Sequence, residues 1–243
     1  MGSKTLETRI KAVDFLRFAK RHRKYADLSR ITGLDIPTLN RYVKGVLLPN
    51  TDRSEKLIAA LEREVMDEVL MQIVPQEMGF HENLPVLRDA LTLRILTRYA
   101  REELTDIKFD CILTSEEFLL FTGVLASELD VKVAFASSER LCAEKVYEAI
   151  FYPSVFKTKL QIGSYARTLY LPVNSISKNE RVLITDCFID TGESIRALAG
   201  FVRNAKALIV GIICLGIFNL ETIEKLQGEI GTSIKYLKIL ERV

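Results

Sequence analysis

The stretch that decides the fold is Arg181–Ala197, which reads RVLITDCFIDTGESIRA. Its first part is a continuous apolar run of the kind that forms a strand covered on both faces of a parallel sheet. Asp186 is expected to lie at the carboxyl end of this strand, and the segment after it turns into a helix. The helix N-terminus presents backbone N–H groups and the positive end of the helix dipole, so this turn predicts a phosphate site.

The side chains of the turn suit a sugar phosphate. The predicted phosphate and ribose ligands are Asp186, Asp190, Thr191, Gly192, Glu193 and Ser194. Thr191 and Ser194 carry hydroxyl donors, and Gly192 allows the backbone to come close to the ligand. Asp186 is placed to accept hydrogen bonds from the ribose hydroxyls.

Short apolar strands alternate with helices on both sides of this stretch, from about Gly79 onward. The pattern predicts an α/β domain with a doubly wound, mostly parallel sheet. We predict strands at Phe109–Thr114, Val131–Ala136, Arg167–Leu171, Arg181–Asp186, Ala207–Phe218 and Ile234–Leu240. We predict helices at Glu116–Leu129, Thr191–Asn204 and Leu220–Gln227.

The chain before this domain has a helical period and a different charge. Residues 1–50 contain 11 Lys and Arg against 4 Asp and Glu, whereas the whole chain has 34 against 32. We therefore predict an all-α domain with a connector helix at residues 1–78, whose basic charge suits a polyanion, followed by the α/β ligand-binding domain at residues 79–243. The boundary is placed in the Pro- and Gly-containing join at Pro75–Phe80.

Two predicted helices in the basic part meet at a tight turn. Gly33 ends one helix, Asp35 caps the next, and Pro37 lies in its first turn. The segment Tyr25–Gly45 resembles the helix-turn-helix of the lambda-repressor and Cro class, which implies that its second helix enters a major groove of double-stranded operator DNA. The implied DNA-binding residues are Ile36, Thr38, Asn40, Arg41 and Lys44 on that helix, with Arg21, Arg23 and Lys24 as phosphate contacts. The alternative is a helical dimerisation or substrate domain with a solvated basic rim.

The stretch at 181–197 also resembles the ribose-phosphate signature of type I phosphoribosyltransferases. The resemblance implies that Asp190–Ser194 hold the 5′-phosphate of 5-phosphoribosyl 1-diphosphate (PRPP) and that Asp186 binds the ribose hydroxyls. In that family a hood or flexible loop corresponds to Leu141–Ala166. A diphosphate ligand would bring Mg²⁺ with it; no other cofactor, no protein metal site and no catalytic residue is predicted.

Three departures from the family pattern affect the expected site: the first removes an acceptor for the ribose hydroxyls, and the other two concern the diphosphate. Cys187 replaces the second acidic residue of the signature. The loop after the first strand contains Glu116 and Glu117, each of which would repel a diphosphate by roughly 1 kcal/mol unless a metal or an arginine intervenes. After the second strand, Arg140 is the one basic residue. We therefore expect a site that senses its ligand, and the sequence leaves enzymatic activity open.

Together the two halves predict a transcriptional regulator that senses PRPP or a nucleotide and binds DNA as a homodimer or a dimer of dimers. The plan resembles archaeal helix-turn-helix regulators with a phosphoribosyltransferase-like domain, and the bacterial purine-operon repressor. The alternative is an active phosphoribosyltransferase, for orotate or a purine, with an accessory DNA-binding domain. A third possibility is that the α/β domain only dimerises the helical one.

Composition restricts the class and location of the protein. With 48% hydrophobic and 27% charged residues, the chain is neither disordered nor collagen-like. The four cysteines are far apart and only two histidines are present, which argues against a zinc site. The longest apolar run, Ala207–Phe218, is shorter than a membrane span of about 20 residues. These features predict a soluble, cytoplasmic protein with no membrane partner.

Overall fold

A computed structural model describes residues 2–73, 88–140, 145–151 and 167–240. These residues form two compact units. The first unit contains the helices before residue 74 together with Asp89–Ile95, and the second contains the described residues from Leu96 onward. The predicted domain boundary at residues 78 and 79 lies outside the described residues.

The first unit is helical, as its sequence period predicts. Its helices are α1 (Gly2–His22), α2 (Tyr25–Thr32), α3 (Ile36–Val43) and α4 (Thr51–Ile73), followed by the start of α5 (Ala90–Glu103). Gly33 follows α2 with φ of 69°, the left-handed conformation in which glycine carries little strain. Asp35 caps α3 by accepting a hydrogen bond from the Thr38 N–H at 2.8 Å. The predicted ends of these helices are thus confirmed, whereas a role in DNA binding stays a prediction.

The second unit is built on a parallel five-stranded sheet in the order β2-β1-β5-β6-β7. Its strands are β1 (Cys111–Ser115), β2 (Lys132–Ala136), β5 (Arg181–Ile189), β6 (Leu208–Ile217) and β7 (Ile234–Ile239). The strands β3 (Val146–Phe151) and β4 (Arg167–Pro172) form a separate antiparallel pair. The helices of this unit are the rest of α5, then α6 (Leu119–Leu129), α7 (Glu193–Asn204) and α8 (Leu220–Ile230).

The order of the strands places a crevice at one edge of the sheet. The chain passes from β1 to β2 on one side and from β5 through β6 to β7 on the other, so the strand order reverses between β1 and β5. In open α/β sheets, ligands bind at the carboxyl ends of the strands at such a reversal. The turn that follows β5 lies at this edge, where the sequence predicts the phosphate site.

The α/β prediction is confirmed, but several predicted boundaries are wrong. The strand β5 continues to Ile189, so Asp186 lies inside it and is not its last residue. A short 3-10 turn at Glu116–Phe118 precedes α6, and α7 begins at Glu193, not at Thr191. The strand β3 falls within the segment assigned to a hood or loop; the remainder of that segment, residues 141–144 and 152–166, lies outside the described residues.

The core of the second unit fixes α7 against the sheet. Ile195, Leu198 and Phe201 of α7 are fully buried against strand residues such as Ile184 of β5 and Ile212 of β6. In the part of the chain that the structure describes, no helix is both long enough and apolar enough to span a bilayer.

Candidate ligand-binding site at the carboxyl edge of the sheet

The turn from β5 to α7, called the anion cradle below, has the geometry that the sequence predicts for a phosphate site. Gly192 caps α7 with φ of 81°, and the first backbone N–H groups of a helix have no partner within the helix. Since α7 has 12 residues, these N–H groups stand at the positive end of a full helix dipole. Thr191 is exposed beside them, so the turn offers both backbone and hydroxyl donors to a bound phosphate.

Asp186 is fixed in place by two neighbours. One carboxylate oxygen accepts the Cys187 N–H at 2.7 Å, and the other accepts the Ser194 hydroxyl at 2.5 Å. Asp186 is 9% exposed, which leaves a small accessible surface toward the edge of the sheet. In this structure the Ser194 hydroxyl donates to Asp186, and its contact with a phosphate stays a prediction. The hydrogen bond to Asp186 orients the carboxylate that the sequence assigns to the ribose hydroxyls.

Arg196 supports the cradle and was not identified from the sequence. Its guanidinium donates to the Thr191 carbonyl at 2.9 Å and to the Glu193 carboxylate at 3.0 Å. It also pairs with Glu229 of α8 at 2.7 Å, and hydrogen bonding to that carboxylate raises the arginine pKa. Only the three-residue spacing of Glu193 and Arg196 on one helix indicated such a pair. Glu193 thus points to this arginine and supports the turn.

Buried threonines join β5 to β1 across the crevice. The Thr114 hydroxyl donates to the Thr185 carbonyl at 3.2 Å, and the hydroxyls of Thr122 and Thr185 lie 2.8 Å apart. All three residues are fully buried. These contacts fix Thr185, the residue before Asp186, against β1 and α6.

The two carboxylates of the loop after β1 both have partners. Glu116 accepts hydrogen bonds from the Ser138 N–H at 3.0 Å and from the Ser138 hydroxyl. Glu117 forms an ion pair with Arg167 at the start of β4, and the arginine side chain is 17% exposed. The sequence suggests two unneutralised negative charges at this place and gives Arg140 as the one nearby cation. The structure corrects this expectation, because Arg167 neutralises Glu117.

Cys187 is a protonated thiol at this site. Burial, with a smaller contribution from Asp186, raises its pKa well above the usual range. The same factors raise the pKa of Cys214 on the neighbouring strand β6. Cys187 therefore supplies neither the charge nor the acceptor strength of the acidic residue that it replaces.

The predicted DNA-binding residues differ in exposure, and two of them form ion pairs. Ile36, Arg41 and Lys44 are exposed on or just after α3, Thr38 and Asn40 are half-buried, and Lys24 is exposed before α2. Arg21 instead pairs with both carboxylate oxygens of Asp89, and Arg23 pairs with Glu64 and Glu68. In this structure, Arg21 and Arg23 contact carboxylates of their own unit, which the sequence did not indicate.

A protein-bound metal centre is absent from the described part of the chain. No group of three or more His, Cys, Asp or Glu side chains in residues 2–73, 88–140, 145–151 and 167–240 is arranged to hold a metal ion.

Comparison with known proteins relates the second unit to phosphoribosyltransferases. No family model matches the chain. Xanthine phosphoribosyltransferase of Bacillus cereus is 32% identical over 135 residues, which are 54% of this chain and 62% of that protein. The chain spans between 54% and 62% of the length of the curated relatives that it matches.

Solved structures show the fold of this unit. Adenine phosphoribosyltransferase of Thermoanaerobacter pseudethanolicus superimposes with a TM-score of 0.59 at 22% identity, covering 72% of this chain and 99% of that one. Adenine phosphoribosyltransferase of Trypanosoma brucei, in complex with AMP, pyrophosphate and ribose-5-phosphate, gives 0.59 at 14% identity, covering 72% of this chain and 79% of that one. The mostly parallel α/β unit thus has the type I phosphoribosyltransferase fold.

These likenesses contradict the interpretation of the chain as a ligand-sensing transcriptional regulator. The relatives carry the names of enzymes, and they favour the alternative, an active phosphoribosyltransferase. The regulator hypothesis depended in part on the expectation that two unneutralised carboxylates would weaken diphosphate binding. In the structure one of them, Glu117, is paired with Arg167.

Proposed function

From the type I phosphoribosyltransferase fold, we propose that the chain transfers the 5-phosphoribosyl group of PRPP to a purine base. In this reaction the bond from C1 of the ribose to the diphosphate oxygen breaks and a bond from C1 to a ring nitrogen of the base forms. Diphosphate leaves with the bonding electrons, and the base nitrogen loses its proton. The observation that carries the proposal is the anion cradle at the N-terminus of α7 with the fixed carboxylate of Asp186 beside it.

In the proposed complex the 5′-phosphate lies on the turn Asp190–Ser194. The backbone N–H groups at the start of α7 and the Thr191 hydroxyl donate to its oxygens. Asp186 accepts hydrogen bonds from the ribose hydroxyls, because its oxygens are already oriented by Ser194 and the Cys187 N–H. Gly192 gives the turn its left-handed backbone, with φ of 81°, and lets it pack against the buried Leu226.

The diphosphate belongs on the β1 and β2 side of the crevice. On that side, Ser138 offers an N–H and a hydroxyl, and Arg167 offers a guanidinium, although Glu116 and Glu117 now contact these donors. Mg²⁺ fits this arrangement only as an ion bound mainly by ligand oxygens, since the described residues hold no metal cluster. When bound, Mg²⁺ neutralises negative charge on the leaving diphosphate.

The base belongs on the side of β6, where aromatic rings lie. Phe188 of β5 and Phe218 after β6 are half-buried, and their ring centroids lie 6.1 Å apart with a 60° tilt. Flat apolar rings of this kind stack on heterocycles. The relatives are named for xanthine and the structural neighbours for adenine, so we propose a purine, with xanthine as the first candidate.

The proposal is tested by turnover of the full chain with PRPP and Mg²⁺. Xanthine, hypoxanthine, guanine, adenine and orotate are supplied in turn, and nucleoside monophosphate is measured by chromatography. We expect product with at least one purine. Asp186→Asn should lower kcat/KM about 10- to 150-fold, since hydrogen bonds to a charged group are worth about 1.5–3 kcal/mol.

The matched control is Asp110→Asn. Asp110 precedes β1 and therefore lies at the opposite, amino edge of the sheet, so the same substitution there should leave kcat/KM unchanged. Absence of product with every base would refute the transferase. Equal activity of the Asp186→Asn variant and the wild type would refute the placement of the ribose.

A further inference from the structure

The first unit contains a basic cavity that the proposed transferase does not use. It has a volume of about 480 Å³ and is formed by α1, the end of α3 and the segment that begins α5. Four cationic side chains line it, those of Arg17, Lys20, Arg21 and Arg94. Its apolar part is formed by Val43 and by Leu91, which is 6% exposed.

Two of the three cations that α1 contributes, Arg17 and Lys20, donate hydrogen bonds to backbone carbonyls. Nε of Arg17 donates to the Val43 carbonyl at 2.9 Å. Nζ of Lys20 donates to the Arg23 carbonyl at 3.1 Å and lies 4.8 Å from the centroid of the Tyr25 ring. A guanidinium has five N–H donors and an ammonium has three, so each group keeps donors for a ligand after these contacts.

The charges of the lining match a phosphate monoester. Arg21 donates to both oxygens of Asp89, at 2.7 and 3.0 Å, and Arg94 donates to Asp14 at 3.0 Å. Within the described residues, the lining and these partners therefore count four cations against two carboxylates. The difference of two positive charges equals the charge of about −2 on a phosphate monoester at neutral pH.

Asp89 counts as a full negative charge because its carboxyl group stays ionised. The Arg21 guanidinium and the Thr92 hydroxyl and N–H hold the pKa of Asp89 well below its usual range. Asp14, 1% exposed, lies beneath Arg94. The carboxylates thus orient two of the arginines, and the charges of Arg17 and Lys20 are left for a ligand.

We propose that this cavity binds a phosphorylated small molecule of the size of a nucleoside monophosphate. The guanidinium of Arg17 and the ammonium of Lys20 bind the phosphate, and Val43 and Leu91 contact the organic part. The cavity is open to solvent, so contacts to the phosphate supply most of the binding and the organic part stays partly exposed. The whole unit, residues 1–74 and 89–95, has 15 Lys and Arg against 11 Asp and Glu, and this positive net charge attracts anions.

The test is isothermal titration of the full chain with AMP, GMP and XMP, and with ribose 5-phosphate. Arg17→Gln and Lys20→Gln keep a hydrogen-bond donor and remove the charge. We expect the double variant to lose one binding site per chain, or to raise its dissociation constant at least tenfold. Lys11→Gln is the matched control, because Lys11 is on the same helix, pairs with Glu62 and is outside the cavity.

The outcomes separate this site from the phosphate cradle of the second unit. If the chain has no transferase site, the wild type binds one nucleotide and the double variant binds none. If both sites exist, the wild type binds two and the double variant one. An unchanged number of binding sites and an unchanged affinity in the double variant would overturn the proposal. If the double variant has a lower Tm than the wild type, the same titration is made with Lys20→Gln alone.

Nucleic acid offers the same phosphate chemistry, and a separate measurement distinguishes it. Fluorescence anisotropy with a labelled 20-base-pair duplex is recorded for the wild type and the double variant. Binding of the duplex that depends on Arg17 and Lys20, without any binding of nucleoside monophosphates, would assign the cavity to a phosphate backbone and overturn the small-molecule proposal.

Discussion

At the scale of single residues, Gly192 is the position of the cradle that tolerates least change. Its φ of 81° is in the left-handed region, and a Cβ placed there would lie 2.5 Å from Cδ1 of Leu226. Leu226 is itself fully buried in α8 and has little space into which to move. A side chain at position 192 would therefore strain the backbone and displace the core at once.

Gly192→Ala should lower the free energy of unfolding by about 1–3 kcal/mol because of the left-handed backbone alone, and should also weaken phosphate binding. Gly200→Ala is the matched control, since Gly200 lies in the same helix with open space around its Cα. Alanine there should raise the free energy of unfolding by about 0.5–1 kcal/mol. Urea denaturation measures both values, and an equal effect of the two substitutions would contradict the role given to Gly192.

At the scale of elements, an ion pair joins the segments that lead into β1 and β5. Arg181 donates from Nε to Asp110 at 2.9 Å and from its backbone N–H at 3.1 Å, and these contacts lower the Asp110 pKa to about 2 from 3.8. A lowered pKa means that the contribution to stability is present above about pH 4. It is lost as the pH falls from about 4 to 2.

Asp110→Asn should therefore change the pH dependence of unfolding. The urea midpoints of the wild type and the variant should differ at pH 5 and converge near pH 2, and 1 M salt should reduce the difference at pH 5 because both partners are exposed. A difference that stays constant from pH 5 to 2 would show that the pair contributes nothing through its charge.

The loop after β1 yields a second prediction at this scale. Glu117→Gln removes the partner of Arg167, and Glu116→Gln weakens the hold on Ser138. The double variant should bind inorganic pyrophosphate about 30-fold more tightly, because each of the two carboxylates near a diphosphate costs roughly 1 kcal/mol. Calorimetry with pyrophosphate checks this without turnover, and the exposed Glu224→Gln on α8 is the control. Weaker binding in the double variant would mean that the carboxylates support the diphosphate site.

The elements show which structural features the local sequence predicts and which it does not. The apolar runs of β5 and β6 predict their strands because burial on both faces requires such runs. The strand β3 was missed because its segment was assigned to a hood or loop by resemblance and because Glu148 interrupts its apolar run. Among the described residues it pairs with β4 in an antiparallel pair. Ion pairs such as Glu117 with Arg167, 50 residues apart, depend on the folded arrangement and leave no local signal.

At the scale of the whole molecule, the sequence predicted the fold class of both units, but the function inferred from the two together was wrong. The helical first unit and the parallel second unit agree with their hydrophobic periods. The regulator hypothesis gave most weight to the basic N-terminal part and to two apparently unneutralised glutamates. Net charge indicates attraction for anions but not which anion binds, and assembly as a homodimer stays a prediction.

Binding of substrate to the folded chain links the site to global stability. A ligand that binds only the folded state at 100 times its dissociation constant stabilises it by about 2.7 kcal/mol. PRPP with Mg²⁺ should therefore raise the Tm of the wild type, and the shift should shrink in the Asp186→Asn variant, whose ribose acceptor is lost. Asp110→Asn should show the full shift. A shift with ribose 5-phosphate but none with PRPP would exclude the diphosphate from the crevice and contradict the transferase, because the leaving group must bind for the reaction to begin.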